Sequence, residues 1–249
     1  MAPGRHSLAH HVPWSRLVRL AIGTLAIGVG ITLLLRSRLG LLPLDVLHLG
    51  VAQRFGFSVG GGIIATQALM LMAFVPLKIR PGIGTIAGFL VPALVTDALL
   101  GWIPVVDSVP VRILLLAAGA ACFCVGVAVY LTAALGPLPR DGLMLALARG
   151  RPRRVAGVRI GLDAAFLLLG GLLLGPSFAW HSGTVGVGTL ALALTCGPVI
   201  AWLLGRFRHR CPLQPSSIPD TSMGATTSTG PGQHPVLNAT NGASHDNPA

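Results

Sequence analysis

The chain has 249 residues, 53% of them hydrophobic and only 10% charged, with a mean hydropathy of +0.76. Soluble domains carry about 25% charged residues, so an ordinary soluble domain is excluded. The net charge of +11 comes from seventeen Arg and one Lys against seven Asp and no Glu. These bases fall in short clusters between apolar runs, as in cytoplasmic membrane loops, and no groove-reading motif accompanies them, which argues against nucleic acid.

In chain order, a basic segment at 1–16 precedes the first apolar run. It resembles a signal peptide but has no small-residue cleavage site before a soluble region, so it reads as a cytoplasmic segment leading into a first span. Runs of spanning length, about 17–25 residues, are expected at 17–35, 58–77, 83–101, 112–134, 157–175 and 184–205. Their many glycines, such as Gly23, Gly28, Gly30, Gly170 and Gly171, suit close helix crossing in a bilayer. This divides the chain into membrane repeat 1 (17–101), an external loop (102–111) and membrane repeat 2 (112–207). A Pro-, Ser-, Thr- and Asn-rich tail at 208–249 is expected to be disordered and cytoplasmic.

Arg and Lys cluster before the first span, between the second and third, before the fifth and after the sixth. Both termini are therefore expected in the cytoplasm of a plasma-membrane protein. Arg36, Arg38 and Arg54 break the rule, because their connection would face outside. The excess of Arg over Lys matches GC-rich coding and points to a bacterial source.

The chain repeats itself. Leu39-Gly40-Leu41-Leu42-Pro43-Leu44-Asp45 returns 96 positions on as Leu135-Gly136-Pro137-Leu138-Pro139-Arg140-Asp141. Gly82-Ile83-Gly84-Thr85 returns 104 positions on as Gly186-Val187-Gly188-Thr189. Three spans per copy would reverse the entry side, which makes the copies inverted repeats. A parallel duplication would need 41–56 and 137–149 to cross fully, and both are short and charged. The fold class expected is all-α, with six spans in two inverted three-helix repeats and short Pro-x-Asp segments that re-enter the membrane or lie at its interface.

Ionisable groups at membrane depth tend to be functional. Asp45 and Asp141 either N-cap the helices that follow or face a cavity as ion- or proton-coupling carboxylates. His48 shares a helix face with Asp45, and Arg140 adjoins Asp141. Asp163 sits one turn after Arg159 and either pairs with it within the helix or lines a cavity, and its counterpart 96 positions earlier is Gln67. The Gly82/Gly84/Thr85 and Gly186/Gly188/Thr189 sets either pack helices closely or leave N–H groups free for an anion. The four cysteines show no CxxC or Cys/His spacing, so neither zinc nor a disulfide framework is expected. No cofactor, metal set or nucleophile–base grouping emerges, and no enzyme is expected.

Leu39-Gly40-x-x-Pro43-x-Asp45-Val46-Leu47-His48, the run Gly136-Pro137-x-Pro139-Arg140-Asp141-Gly142-Leu143-Met144 and the two Gly-x-Gly-Thr pairs resemble the YczE-like membrane proteins of bacteria. The YitT/YyaS group is more loosely similar. Arg159 and Asp163 fall where that pattern has an Arg and an acidic residue, usually Glu. The resemblance covers about 17–207 and implies an integral plasma-membrane protein, with no substrate attached to it. The activity expected is a secondary transporter or permease-like protein, moving a small solute by alternating access around Asp45, Asp141, Gln67 and Asp163. The alternative is a non-transporting accessory or scaffold for a partner. The coupling ion, a membrane partner and a homo-oligomer are left open.

Overall fold

A computed structural model describes residues 13–79, 81–148, 151–175 and 183–208. The tail expected to be disordered lies, from 209 on, outside the described residues, as does most of the 1–16 segment. Among the described residues every regular element is an α-helix: α1 (Trp14–Ser37), α2 (Pro43–Phe55), α3 (Val59–Met72), α4 (Ile83–Trp102), α5 (Val109–Ala133), α6 (Pro139–Leu147), α7 (Pro152–Leu174) and α8 (Val187–Arg208). Helices α1, α4, α5, α7 and α8 are long and apolar enough to cross a bilayer, and α2 and α3 reach that length as a pair bent by 110°. Large apolar side chains lie exposed on these helices, including Leu94, Leu168, Leu172, Leu190 and Leu194. Such surfaces are stable against lipid and a liability in water. The helical hydroxyls satisfy themselves, since Thr24, Thr32 and Thr66 each donate to the carbonyl four residues earlier.

The two copies of the motif each follow the first helix of a set of four, α1–α4 and α5–α8. The apolar run expected as one span at 58–77 is not one helix. Helix α3 has 14 residues, about 21 Å at 1.5 Å per residue, and a turn occupies 73–78. Pro76 lacks the N–H needed to continue the helix, and Lys78 turns the chain at φ 55°. Helix α3 starts at Ser58, whose Oγ accepts the Gly61 N–H at 3.0 Å. Asp97 of α4 completes this start by accepting from Ser58 Oγ at 2.6 Å and from the Gly60 N–H at 2.7 Å. The short α3 thus has a fixed entry as well as a fixed exit.

Corresponding helices α1 and α5 pack antiparallel. Gly23 lies against the Tyr130 backbone, Gly30 against Phe123, and Gly119 against Leu34, so numbers rise along one helix as they fall along the other. A Cβ on Gly23 would stand 2.6 Å from Tyr130 N, and one on Gly30 2.7 Å from Phe123 N. Absence of side chains there is what lets the backbones approach.

The motif ends exchange across the two sets. The Gly188 N–H donates to the Leu39 carbonyl at 3.1 Å, and the Gly84 N–H donates to the Leu135 carbonyl at 3.0 Å. Thr189 Oγ1 accepts from the Gly186 N–H at 3.3 Å, and Thr85 Oγ1 accepts from the Gly82 N–H at 3.2 Å. The anion alternative for these glycines is therefore corrected: at Gly84 and Gly188 the N–H groups are spent on the other set's carbonyls. The exchange differs between the copies at Leu41. The Leu41 N–H reaches Thr189 Oγ1 at 3.2 Å, whereas its counterpart is Pro137, which has no N–H to give.

Arg36, one of the arginines that broke the loop-charge rule, is tied to a helix end, where it donates to the Leu100 carbonyl of α4. Arg112 likewise donates to the Ser37 carbonyl at 2.7 Å and to the Arg38 carbonyl at the end of α1. Cations are favoured at helix C-termini, where the last carbonyls lack partners. Arg36 and Arg112 are accordingly structural charges rather than loop charges.

Gly40 and Gly136 sit at φ 146° and 135°, with Gly40 against Thr189 N and a Cβ at Gly136 placed 2.7 Å from Thr85 Oγ1. Gly40→Ala and Gly136→Ala should each destabilise the protein by about 1–3 kcal/mol or more, since the strained conformation and the clash act together. Gly171→Ala, with nothing within 4 Å of its Cβ, should be close to neutral. Thermal melting in detergent reads the difference, and equal melting points for Gly40→Ala and Gly171→Ala would contradict the docking described.

Candidate functional site

Between the two sets lies a cavity of about 360 Å³. Its walls are apolar for the most part: Ile27 and Ile31 of α1, Phe123 and Val127 of α5, Phe89 and Pro92 of α4. Into it project Asp45, His48, Gln67, Arg140, Asp141, Arg159 and Asp163. All seven polar positions expected to face a solute or ion pathway therefore line one space.

Helix starts place them. Leu42 and Leu138 are the N-caps of α2 and α6, with Pro43 and Pro139 first in the helix and no side-chain cap bond at either start. The N-cap reading of Asp45 and Asp141 is thus corrected. Proline suits the first helical position because that residue's N–H has no acceptor anyway. It moves the cap to the leucine before it and leaves each Asp in the third helical position, where a negative charge still meets the positive end of the helix dipole.

On the first-set side, His48 Nδ1 lies 3.2 Å from Asp45 Oδ1, with side chains 4% and 7% exposed. The other polar atoms of that corner are unpartnered. Asp45 Oδ2, His48 Nε2 and the buried Gln67 Oε1 have no hydrogen-bond partner among the described residues. Leaving a buried polar atom unsatisfied costs about 1–3 kcal/mol, so three in one cavity mark a place shaped for something that bonds to them.

On the second-set side, Asp163 pairs with Arg140 of α6. Sequence spacing favoured Arg159, one turn away on the same helix, as its partner. Arg159 instead reaches across to α8, where a Cβ on Gly197 would stand 2.9 Å from its Nη2. Three carboxyl groups and two guanidiniums thus line the cavity.

The two sides also differ in closure. Among the described residues α3 packs directly on α4, while the corresponding α7 and α8 make almost no backbone contact. Arg159 bridges that seam. Residues of α8 such as Leu192, Cys196, Gly197 and Ile200 line the cavity without having been singled out in the sequence. Their only signal there is the 104-residue correspondence, which sets Cys196 against Pro92.

The Arg140 and Asp163 side chains are 16% and 15% exposed. Removing one partner of a largely buried pair strands the other charge, whereas removing both does not. Asp163→Asn alone should therefore lower the melting temperature more than Arg140→Gln and Asp163→Asn together. The reverse order, measured in detergent, would show that the pair contributes nothing.

Comparison with known proteins matches residues 14–204 to the family of unknown function DUF6198. An uncharacterised protein of Haemophilus influenzae is 31% identical over 178 residues, 72% of this chain and 78% of its own length. The uncharacterised membrane protein YczE of Bacillus subtilis is 28% identical over 186 residues, 73% of this chain and 82% of its own. The uncharacterised protein YyaS of the same organism is 27% identical over 177 residues, 68% and 82% of the two chains. No solved structure matches. The matched region spans every described helix but the last residues of α8 and carries the doubled motif, the interlock and the cavity, and the chain is a membrane protein belonging to the DUF6198 family, with YczE and YyaS among its relatives.

Proposed function

We propose that the protein is a secondary transporter or permease-like protein of the plasma membrane that moves a small solute by alternating access. Its two four-helix sets are read as inverted repeats, with α2–α3 counted as one broken crossing so that each set crosses three times. The antiparallel packing of α1 on α5 supports this, because equivalent helices running in opposite directions put the twofold axis in the membrane plane. The basic clusters at Arg16 and Arg19, at Arg151 and Arg154, and at Arg206 then put both termini in the cytoplasm.

The observation that carries the reading is a charged cavity between the sets, closed where α3 meets α4 and parted where α7 faces α8. If the sets exchange these two arrangements, the opening moves to the opposite face and the cavity stays central. No catalytic role is assigned to any residue; the lining charges bind and couple.

Reconstituted wild-type protein should move at least one solute of a broad panel above the rate of empty vesicles. Asp141→Asn should reduce that flux by about tenfold or more, as expected for an intramembrane carboxylate on the pathway. Wild type no better than empty vesicles across the panel would count against transport and favour a membrane accessory that supports a partner.

Gly197→Val is expected to keep the fold, because the nearest atoms to its new side chain are the mobile end of Arg159. It should nonetheless stop flux by filling the parted seam. Normal flux in a well-folded Gly197→Val protein would show that α7 and α8 do not move against each other.

A further inference from the structure

We propose that the cavity binds a small organic monocation, a protonated amine carried on an apolar body, at the corner formed by Asp45, His48 and Gln67. The proposal rests on the same cavity as the transport reading and adds the class of solute.

The unpartnered atoms decide the polarity of the ligand's head. Asp45 Oδ2 accepts only while ionised, and Gln67 Oε1 accepts only. Both residues are buried, Asp45 6% and Gln67 7% exposed. They call for N–H donors. An ammonium supplies up to three N–H groups and a positive charge, and hydrogen bonds to an ionised acceptor are the stronger kind. A carboxylate or phosphate placed there would bring a second anion to an uncompensated, buried Asp45.

The charge balance agrees. Besides the Asp45–His48 pair, the cavity is lined by Asp163 and Arg159 from α7, Arg140 and Asp141 from α6, Cys196 from α8 and the uncharged Gln67 from α3. Counted formally, the carboxyl groups there outnumber the guanidiniums by one.

The rest of the lining suits a cation with an organic body. Among the described residues no group of three His, Cys or acidic side chains comes together as metal donors. Phe89, Phe123, Ile27, Ile31 and Val127 offer an apolar wall around the charged corner. A volume of about 360 Å³ holds a small alkyl or aryl body, and aromatic rings are favourable neighbours for cations.

The test is equilibrium binding to purified full-length protein in detergent, with benzylamine as the cationic probe and benzyl alcohol and benzoate as neutral and anionic matches of the same body. Benzylamine should bind, and the other two at least about tenfold more weakly. Asp45→Asn should weaken benzylamine binding about tenfold or more, and Gln67→Glu, which adds an anion, should tighten it. Benzoate bound better than benzylamine, or benzylamine bound equally by wild type, Asp45→Asn and Gln67→Glu, would overturn the proposal. If Asp45→Asn does not fold, Gln67→Glu alone decides, since it is read as a gain. Cation binding in micelles without flux in vesicles would defeat transport and leave this site standing; flux of neutral or anionic solutes without cation binding would do the opposite.

Discussion

Everything in this fold hangs on two hydrogen bonds that cross between the halves, Gly188 N–H to the Leu39 carbonyl and Gly84 N–H to the Leu135 carbonyl. In an apolar medium a backbone N–H at a helix start must find an acceptor. Each half meets that demand with the carbonyl of the other half's motif. The exchange requires a backbone without a side chain at Gly40 and Gly136, both with positive φ, and it requires α1 and α5 to pass each other at glycine distance. Once those conditions hold, the Pro-x-Asp helices α2 and α6 have nowhere to go but into the middle. Helix α2 is then buried around nearly its whole first turn and a half, Pro43 to His48.

That geometry explains why polar groups gather where they do. Proline in the first helical position sends the Asp two residues on toward the centre rather than to the cap. The second half repeats the construction but alters its chemistry. Leu44 becomes Arg140, which neutralises Asp163, and Val46 becomes Gly142, which receives the ring of Phe74 from the first half. The cavity is consequently polarised, with acceptors on one wall and paired or bridging cations on the other.

Much of this was legible in the sequence, for physical reasons. Long apolar runs announce spanning helices, so α1, α4, α5, α7 and α8 stand close to where hydropathy puts them. The 96- and 104-residue repeats found the motif pairs because the interlock tolerates little change in Gly and Thr. Not legible were the end of α3 at Met72, short of the expected 58–77 run, and the tie from Asp97, 39 residues beyond Ser58, that caps its start. The partner of Asp163 was missed for a similar reason. Helical spacing sees Arg159 at one turn, while the packing of α6 on α7 brings Arg140 closer. The cap at Leu42 was misplaced because Pro occupies the first helical position and shifts the boundary toward the N-terminus.

The imperfect symmetry of the halves bears directly on how the proposed movement would work. Two identical halves would favour neither arrangement, and a closed α3–α4 seam would be as stable as a closed α7–α8 seam. Here the copies differ at points that touch the seams. Asp97 ties α4 to the start of α3, whereas the residue 104 positions on is Ala201, whose methyl group can accept no hydrogen bond. Phe74 occupies, in the first half, the place that Gly170 holds in the second, and Gly170 is spent on close contact with Leu47 of α2. Arg159, not backbone contact, spans α7 and α8, and a long flexible cation is a weaker clasp than a capped helix start. The α3–α4 side is therefore the more firmly held, and a bound solute would shift the balance only to the extent that it binds the alternative arrangement more tightly. An occupant of the proposed kind, drawing Asp45 and Gln67 onto one head group, would have that differential grip at the centre.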